Sequence, residues 1–232
     1  MPTHKMHMSI ANEVNKYLKL DEDMVMIGSV LPDLTIDKRH RASHFKNGEE
    51  GIEGTANPYK FLLKYKKDLK NPVMVGYLIH LLTDRYFNSY VFQNYYIYDE
   101  NTHLIGIKFH DEQVLMPIEK IRYEKHRDFY VYDKYLVEHN KVKKIKSTDC
   151  VKNIKNTEDA KYDKELIKKY IENANLDIDK AKKGEFYKQL TNEYKVMTQE
   201  ELDKQMKLCE KQIIKFFNGL KHEEWDSNSK PL

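Results

Sequence analysis

The sequence predicts an all-α protein, a single multi-helix domain built around one long central helix. Three observations carry this expectation. Glycine and proline are scarce, with 8 Gly and 6 Pro in 232 residues; charged residues make up 33% of the chain; and apolar residues recur at helical rather than strand spacing. No Pro-, Gly- or Ser-rich break divides the chain, so residues 1–225 read as one domain and 226–232 as a frayed tail.

The elements follow in order. Residues 5–19 form a first helix with Met6, Ile10, Val14 and Leu18 on one face, His7 beside that stripe and His4 a turn earlier. A second helix starts near Asp21, where acidic residues suit the positive helix end, and runs through "MVMIGSV" toward Pro32. Residues 33–57 read as loop, with a helical turn around "RHRASHF". Asn57-Pro58 opens a helix to about Leu69, and Asn71-Pro72 opens the long one through "GYLIHLLTDRYFNSY" to about Tyr98. "HLIGIKF" alternates weakly, so 101–118 reads as a short hairpin excursion or an extended segment. Further helices are expected over Tyr123–His139 and Glu158–Asn175. A last one is opened by the capping box of Thr198 and Glu201, with Leu202, Met206, Cys209, Ile213, Phe216 and Leu220 as its stripe.

Charge excludes little but directs attention away from polyanions. The 40 basic and 37 acidic residues leave a net charge of +3, a mixed surface with no compositional warrant for nucleic-acid or membrane binding. The run "KVKKIK" reads as a solvated loop. Cys150 and Cys209 are far apart and read as unpaired thiols of a reducing compartment. The opening residues carry no basic and apolar secretion pattern, and no stretch is apolar enough to span a bilayer, so the expected location is cytoplasmic.

The chemistry concentrates in the first third. His80 and Asp84 stand at i and i+4 on the long helix, the spacing that lets two side chains hold one metal. "GSVLPDL" puts Asp33 just after a helix, and "HRASHF" supplies His40 and His44. Nitrogen and oxygen donors of this kind suit Zn²⁺ or Mn²⁺. Near the amino terminus His4, His7 and the terminal amine are further donors, with His4 preferred and His7 read as a residue covering the core. Tyr77, Arg85, Tyr86 and Asn88 surround the motif, and His126, Asp128 and Asp133 share a helix that approaches it in a minority reading.

In this order, "TH", "GSVLPD", "SHF" and "GYLIHLLTD" resemble the zinc-dependent phospholipase C family, which is related to the single-strand-specific zinc nucleases. The resemblance covers about residues 1–95. It implies that Asp33, His44, His80 and Asp84 ligate one zinc, that Asp84 bridges to a second, and that His4 is the early histidine of that second ion. It also implies a metal-dependent phosphoric diester hydrolase in which Asp33 serves as ligand or as general base. The substrate is a phosphodiester, whether phospholipid headgroup, nucleic acid or small molecule. The family's third zinc lacks its histidines here: none lies between Asp84 and His103, and neither His126 nor His139 begins a His-x-x-x-Glu/Asp pair. One or two ions are therefore expected. Two other readings stand beside this one: an HD-type phosphohydrolase using His110-Asp111, and a catalytically reduced helical binding protein that keeps a metal.

Overall fold

Helices begin where the sequence offers a side chain to cap them. In the computed structural model, which describes residues 2–36, 40–46, 55–109, 112–183 and 193–222, Thr3 opens α1 (His4–Leu18) and Asp21 opens α2 (Glu22–Gly28). Lys19, in a left-handed conformation at φ 57°, closes α1 by returning its N–H to the Asn15 carbonyl. A 3-10 turn (Leu31–Asp33) and the short α3 (His40–Ser43) follow. Asn57 and Asn71 cap α4 (Pro58–Tyr65) and α5 (Pro72–Asn94), each with proline at the first helical position.

The long helix ends four residues earlier than its apolar run predicts. Residues Tyr96–Tyr98 leave it as β1, pairing antiparallel with β2 (Leu104–Phe109), which in turn pairs with β3 (Glu112–Leu115). The "YIY" triplet has the aromatic and β-branched side chains that favour a strand once a partner is present. The fold is mostly helical, in keeping with the expectation, and carries a small three-stranded sheet in the order β1-β2-β3. The segment 101–118 forms the hairpin of the two alternatives.

After the sheet come α6 (Ile118–Glu138), a 3-10 turn (Thr148–Asn153), α7 (Lys164–Lys182) and α8 (Gln199–His222). The helix expected from Glu158 starts six residues later. Thr157 instead donates its N–H to the Ala160 carbonyl in a turn, and the Asp163 carboxylate caps the true start by accepting from the N–H groups of Glu165 and Leu166. The capping box of α8 forms as read: Glu201 N–H donates to Thr198 Oγ1, and Thr198 N–H donates to Glu201 Oε2.

One apolar cluster runs from Met6 to Phe217, with α5 through its middle and α1, α2, α4 and α8 packed around it. The α2–α5 crossing is the tightest. Gly28 and Gly76 face each other there, and a Cβ on either would stand 2.2 Å from a backbone carbonyl oxygen of the opposite helix, Val73 or Val25. Cys150 and Cys209 are both free and buried. Among the described residues, no helix is long and apolar enough to cross a membrane.

Candidate metal centre

Four segments deliver polar side chains to one buried point. The α2–α5 crossing places the Ser29 carbonyl 2.7 Å from His80 Nδ1, so that nitrogen carries the proton and Nε2 points inward with its lone pair. The 3-10 turn, stiffened by Pro32, presents Asp33. The Ser43 hydroxyl ties the next loop to that turn by donating to the Pro32 carbonyl at 2.8 Å. Its oxygen lies 3.1 Å from His44 Nδ1 and accepts that N–H, which leaves His44 Nε2 also bare. Phe45 takes a left-handed backbone at φ 54° to complete the loop, and packs edge-on against Phe61. Tyr77, one turn before His80, donates its hydroxyl to the Ser43 carbonyl at 2.5 Å.

The two inward-facing nitrogens, His44 Nε2 and His80 Nε2, lie 3.0 Å apart. Around them stand Asp33 Oδ1 at 3.3 Å and Asp84 Oδ2 at 3.4 Å from His44, with Asp84 Oδ2 at 3.6 Å and Asp33 Oδ2 at 3.9 Å from His80. A cation held tetrahedrally at about 2.0–2.2 Å sets its donors roughly 3.3–3.6 Å apart. The observed histidine–carboxylate separations bracket that range, and Asp33, His44 and His80 form one group whose donors could hold a divalent ion.

A second group shares His80. His7 stacks on it, ring centroids 3.8 Å apart and nearly parallel, and brings Nε2 to 3.5 Å from Asp84 Oδ1. The donors of His7, His80 and Asp84 all lie within 4.8 Å of one another, as do those of Asp33, His44 and His80. His7, His44, His80 and Asp84 are all 0% exposed. Neither nitrogen of His7 and neither oxygen of Asp84 makes a hydrogen bond among the described residues. Four fully buried polar atoms whose charge partners stand at 3.4–3.6 Å, too far for a good hydrogen bond, are costly, and a bound cation would relieve that cost.

Electrostatics agree with the tautomers. Burial, helped by neighbouring His80, pulls His7 down to about 4, and burial lowers His44 as well, so both rings are neutral donors. Burial opposes charge on His80 too, but Asp33 and Asp84 outweigh it and raise its pKa. Asp84 is likewise penalised by burial, yet His80 and His7 hold it well below the usual carboxylate range. Without a cation, a proton on His80 balances the buried carboxylate; a cation takes that proton's place.

The centre has one open side. The Asp33 side chain is 14% exposed and that of His4, whose Nε2 lies 3.3 Å from Asp33 Oδ2, is 33% exposed. Thr3 sets this edge. Its Oγ1 accepts the Met6 N–H and donates to Asp133 Oδ1 on α6, while Tyr170 of α7 lies edge-on to His4 at 5.2 Å. On the far side, Cys209 of α8 lies beside Thr83, and burial pushes its thiol up.

Of the five ligands expected from the sequence, Asp33, His44 and His80 fall in one group and Asp84 in the group of His7 and His80, whereas His4 meets Asp33 at 3.3 Å and joins neither group. His7 belongs to the second of these groups, although it reads from the sequence as core cover; its i, i+3 spacing from His4 was the available signal. Of the three polar residues on α6, Asp133 reaches the edge of the site. Asp128 instead accepts the backbone N–H groups of Lys195, Val196 and Met197, and His126 donates to the Arg122 carbonyl. Arg85 points away, over the Tyr59 ring. His110-Asp111 lies outside the described residues, as does the side chain of His40. No protein-family model matches the chain, and neither comparison, with curated proteins or with solved structures, returns a match.

Proposed function

We propose that this protein is a divalent-metal-dependent phosphodiester hydrolase, with Asp33, His44, His80 and Asp84 holding one ion of zinc or manganese. His7, with Asp84 and His80, offers a place for a second. The observation that supports the reading is the pair of inward-facing Nε2 atoms 3.0 Å apart, set among carboxylate oxygens in a buried pocket. When bound, a divalent cation polarises a phosphoryl oxygen and makes water a better nucleophile.

The chain's own residues supply the rest. Ser29 and Ser43 fix the tautomers of His80 and His44, so their Nε2 atoms need no rearrangement to act as donors. Asp33, the carboxylate on the open side, is placed to accept a proton at Oδ2 from an attacking water. His4, across 3.3 Å from that oxygen, orients it and is the first side chain to meet an entering phosphodiester. Among the described residues, this edge is the side by which substrate approaches, because His7, His44, His80 and Asp84 are wholly enclosed. A cytoplasmic location is part of the reading, in keeping with two free thiols.

One observation favours a second reading. The deep burial of His7, His44, His80 and Asp84 also suits a helical binding protein in which a metal staples the helices. Metal content of untagged protein separates these readings in sequence. One or two zinc or manganese ions per chain, lost in both His80→Ala and Asp84→Ala, establish the centre; no metal, and none taken up on addition, refutes it. Metal-loaded protein that cleaves bis(p-nitrophenyl) phosphate, and loses this in the two variants, supports the hydrolase. Tight metal binding with no turnover of any phosphodiester class leaves the staple.

A further inference from the structure

Distance brings His7, His80 and Asp84 within reach of one cation, but direction is the stricter test. The lone pair of an imidazole nitrogen lies in the plane of its ring, and a cation is bound along it. The rings of His7 and His80 are stacked, 10° from parallel with centroids 3.8 Å apart. Lone pairs in two stacked, parallel planes do not meet at one ion. His44 differs: its ring stands at 67° to that of His80, so the two planes cross, and the Nε2 atoms face each other at 3.0 Å.

His80 has a single lone pair to give. Its Nδ1 donates to the Ser29 carbonyl at 2.7 Å, so only Nε2 can serve a cation, and the ring planes assign it to the ion of Asp33 and His44. A second ion beside His7 would then find two protein donors among the described residues, His7 Nε2 and Asp84 Oδ1. Zinc held by a protein takes three or four.

His7 has a different use at that position. Its Nε2 faces Asp84 Oδ1 at 3.5 Å, and both side chains are wholly buried. A carboxylate oxygen repels a lone pair and attracts an N–H, so the tautomer with its proton on Nε2 is the favoured one, and it leaves that nitrogen nothing to give a metal. The same contact sorts the two oxygens of Asp84. Oδ1 is turned to His7, and Oδ2 stands 3.4 Å from His44 Nε2 and 3.6 Å from His80 Nε2.

Resting on the metal reading above, we propose that the centre holds a single divalent ion and that His7 is a positioning residue, not a ligand: its Nε2–H orients the Asp84 carboxylate. Partners of this kind hold ligating carboxylates in place in metal sites generally.

The full chain, dialysed against excess zinc and then freed of unbound metal, should carry one ion. Protein loaded with cadmium-113 should give one cadmium resonance, coupled to Nε2 of His44 and of His80 and to neither nitrogen of His7. His7→Ala should keep the stoichiometry and bind zinc roughly 10–100-fold more weakly, the usual loss when the partner of a ligand is removed. His7→Gln, which returns an N–H to the same place, should recover most of that affinity. Two ions in the wild type with one in His7→Ala, or cadmium coupled to His7, overturns the proposal and leaves the metal centre standing. Unchanged zinc affinity in His7→Ala does the same. No ion in the wild type removes the metal centre itself, and the role of His7 with it. Should His7→Ala not fold, the cadmium spectrum of the wild-type protein decides alone.

Discussion

Replacing Gly76 by alanine tests whether the α2–α5 crossing positions the metal centre. A Cβ at this position would stand 2.2 Å from the Val25 carbonyl oxygen and 2.9 Å from both Gly28 Cα and Ser29 N, whereas ordinary contact begins near 3.4 Å. The obstacle is backbone on every side, so no side-chain rotation relieves it. The helices must part by the difference, 3.4 − 2.2 = 1.2 Å. That movement carries the Ser29 carbonyl away from His80 Nδ1 and stretches their 2.7 Å hydrogen bond beyond reach. Overpacking costs about 1–3 kcal/mol and the buried unpaired group a further ~1–3 kcal/mol, against a gain of ~1 kcal/mol from alanine's helix propensity. A net loss of roughly 1–5 kcal/mol follows, read as a lower urea midpoint. Nitrogen NMR of His80 should at the same time report loss of the single Nδ1–H tautomer. A Gly76→Ala protein with the wild-type midpoint and an unchanged His80 tautomer would refute the idea that helix proximity sets the imidazole.

Two further outcomes concern stability away from the centre. Burial, and then repulsion by Glu13, pushes Glu210 up to about 7. The folded state therefore binds a proton that the unfolded chain has released by about pH 4.5, and stability contributed by protonation is lost as pH rises from there through 7. Glu210→Gln should raise the unfolding free energy by roughly 2 kcal/mol at pH 8 and change it little near pH 4, measured by urea titration at both pH values. Asp128→Ala leaves the backbone N–H groups of Lys195, Val196 and Met197 without their acceptor. It should cost about 3 kcal/mol or more and speed amide exchange at those three positions first.

Local signals in the sequence proved sufficient where a side chain and its backbone partner are close in the chain. Asn57-Pro58, Asn71-Pro72 and the Thr198/Glu201 box mark their helix starts because a cap acts within a few residues. The HxxxD pair on α5 and the two loops bearing Asp33 and His44 are legible for the same reason, since residue type and spacing place each candidate ligand on a turn or a shared helix face. What decides the remainder is contact between distant segments. Tyr96–Tyr98 becomes a strand because Ile107 and Gly106 are there to pair with it. His7 becomes a site residue because α1 lies against α5 and stacks its ring on His80. The Ser29 carbonyl, which fixes a histidine tautomer, is a backbone atom and leaves no mark on residue type at all. Gly28 and Gly76 are visible as glycines, but only their meeting across two helices explains them.

The position of Cys209 against Thr83 has a consequence for the order of events during synthesis. His4, Asp33, His44, His80 and Asp84 all precede α6, α7 and α8 in the chain, so translation makes these five residues before those helices. The wall behind Asp84 arrives only with α8, which carries Cys209 and packs on both α1 and α5. The donor set thus exists first in a wet and accessible form, when a cation meets little resistance to entry, and is sealed afterwards by the last helix. If the proposed ion is bound, its exchange in the folded protein would require α8 to lift or the Asp33–His4 edge to open.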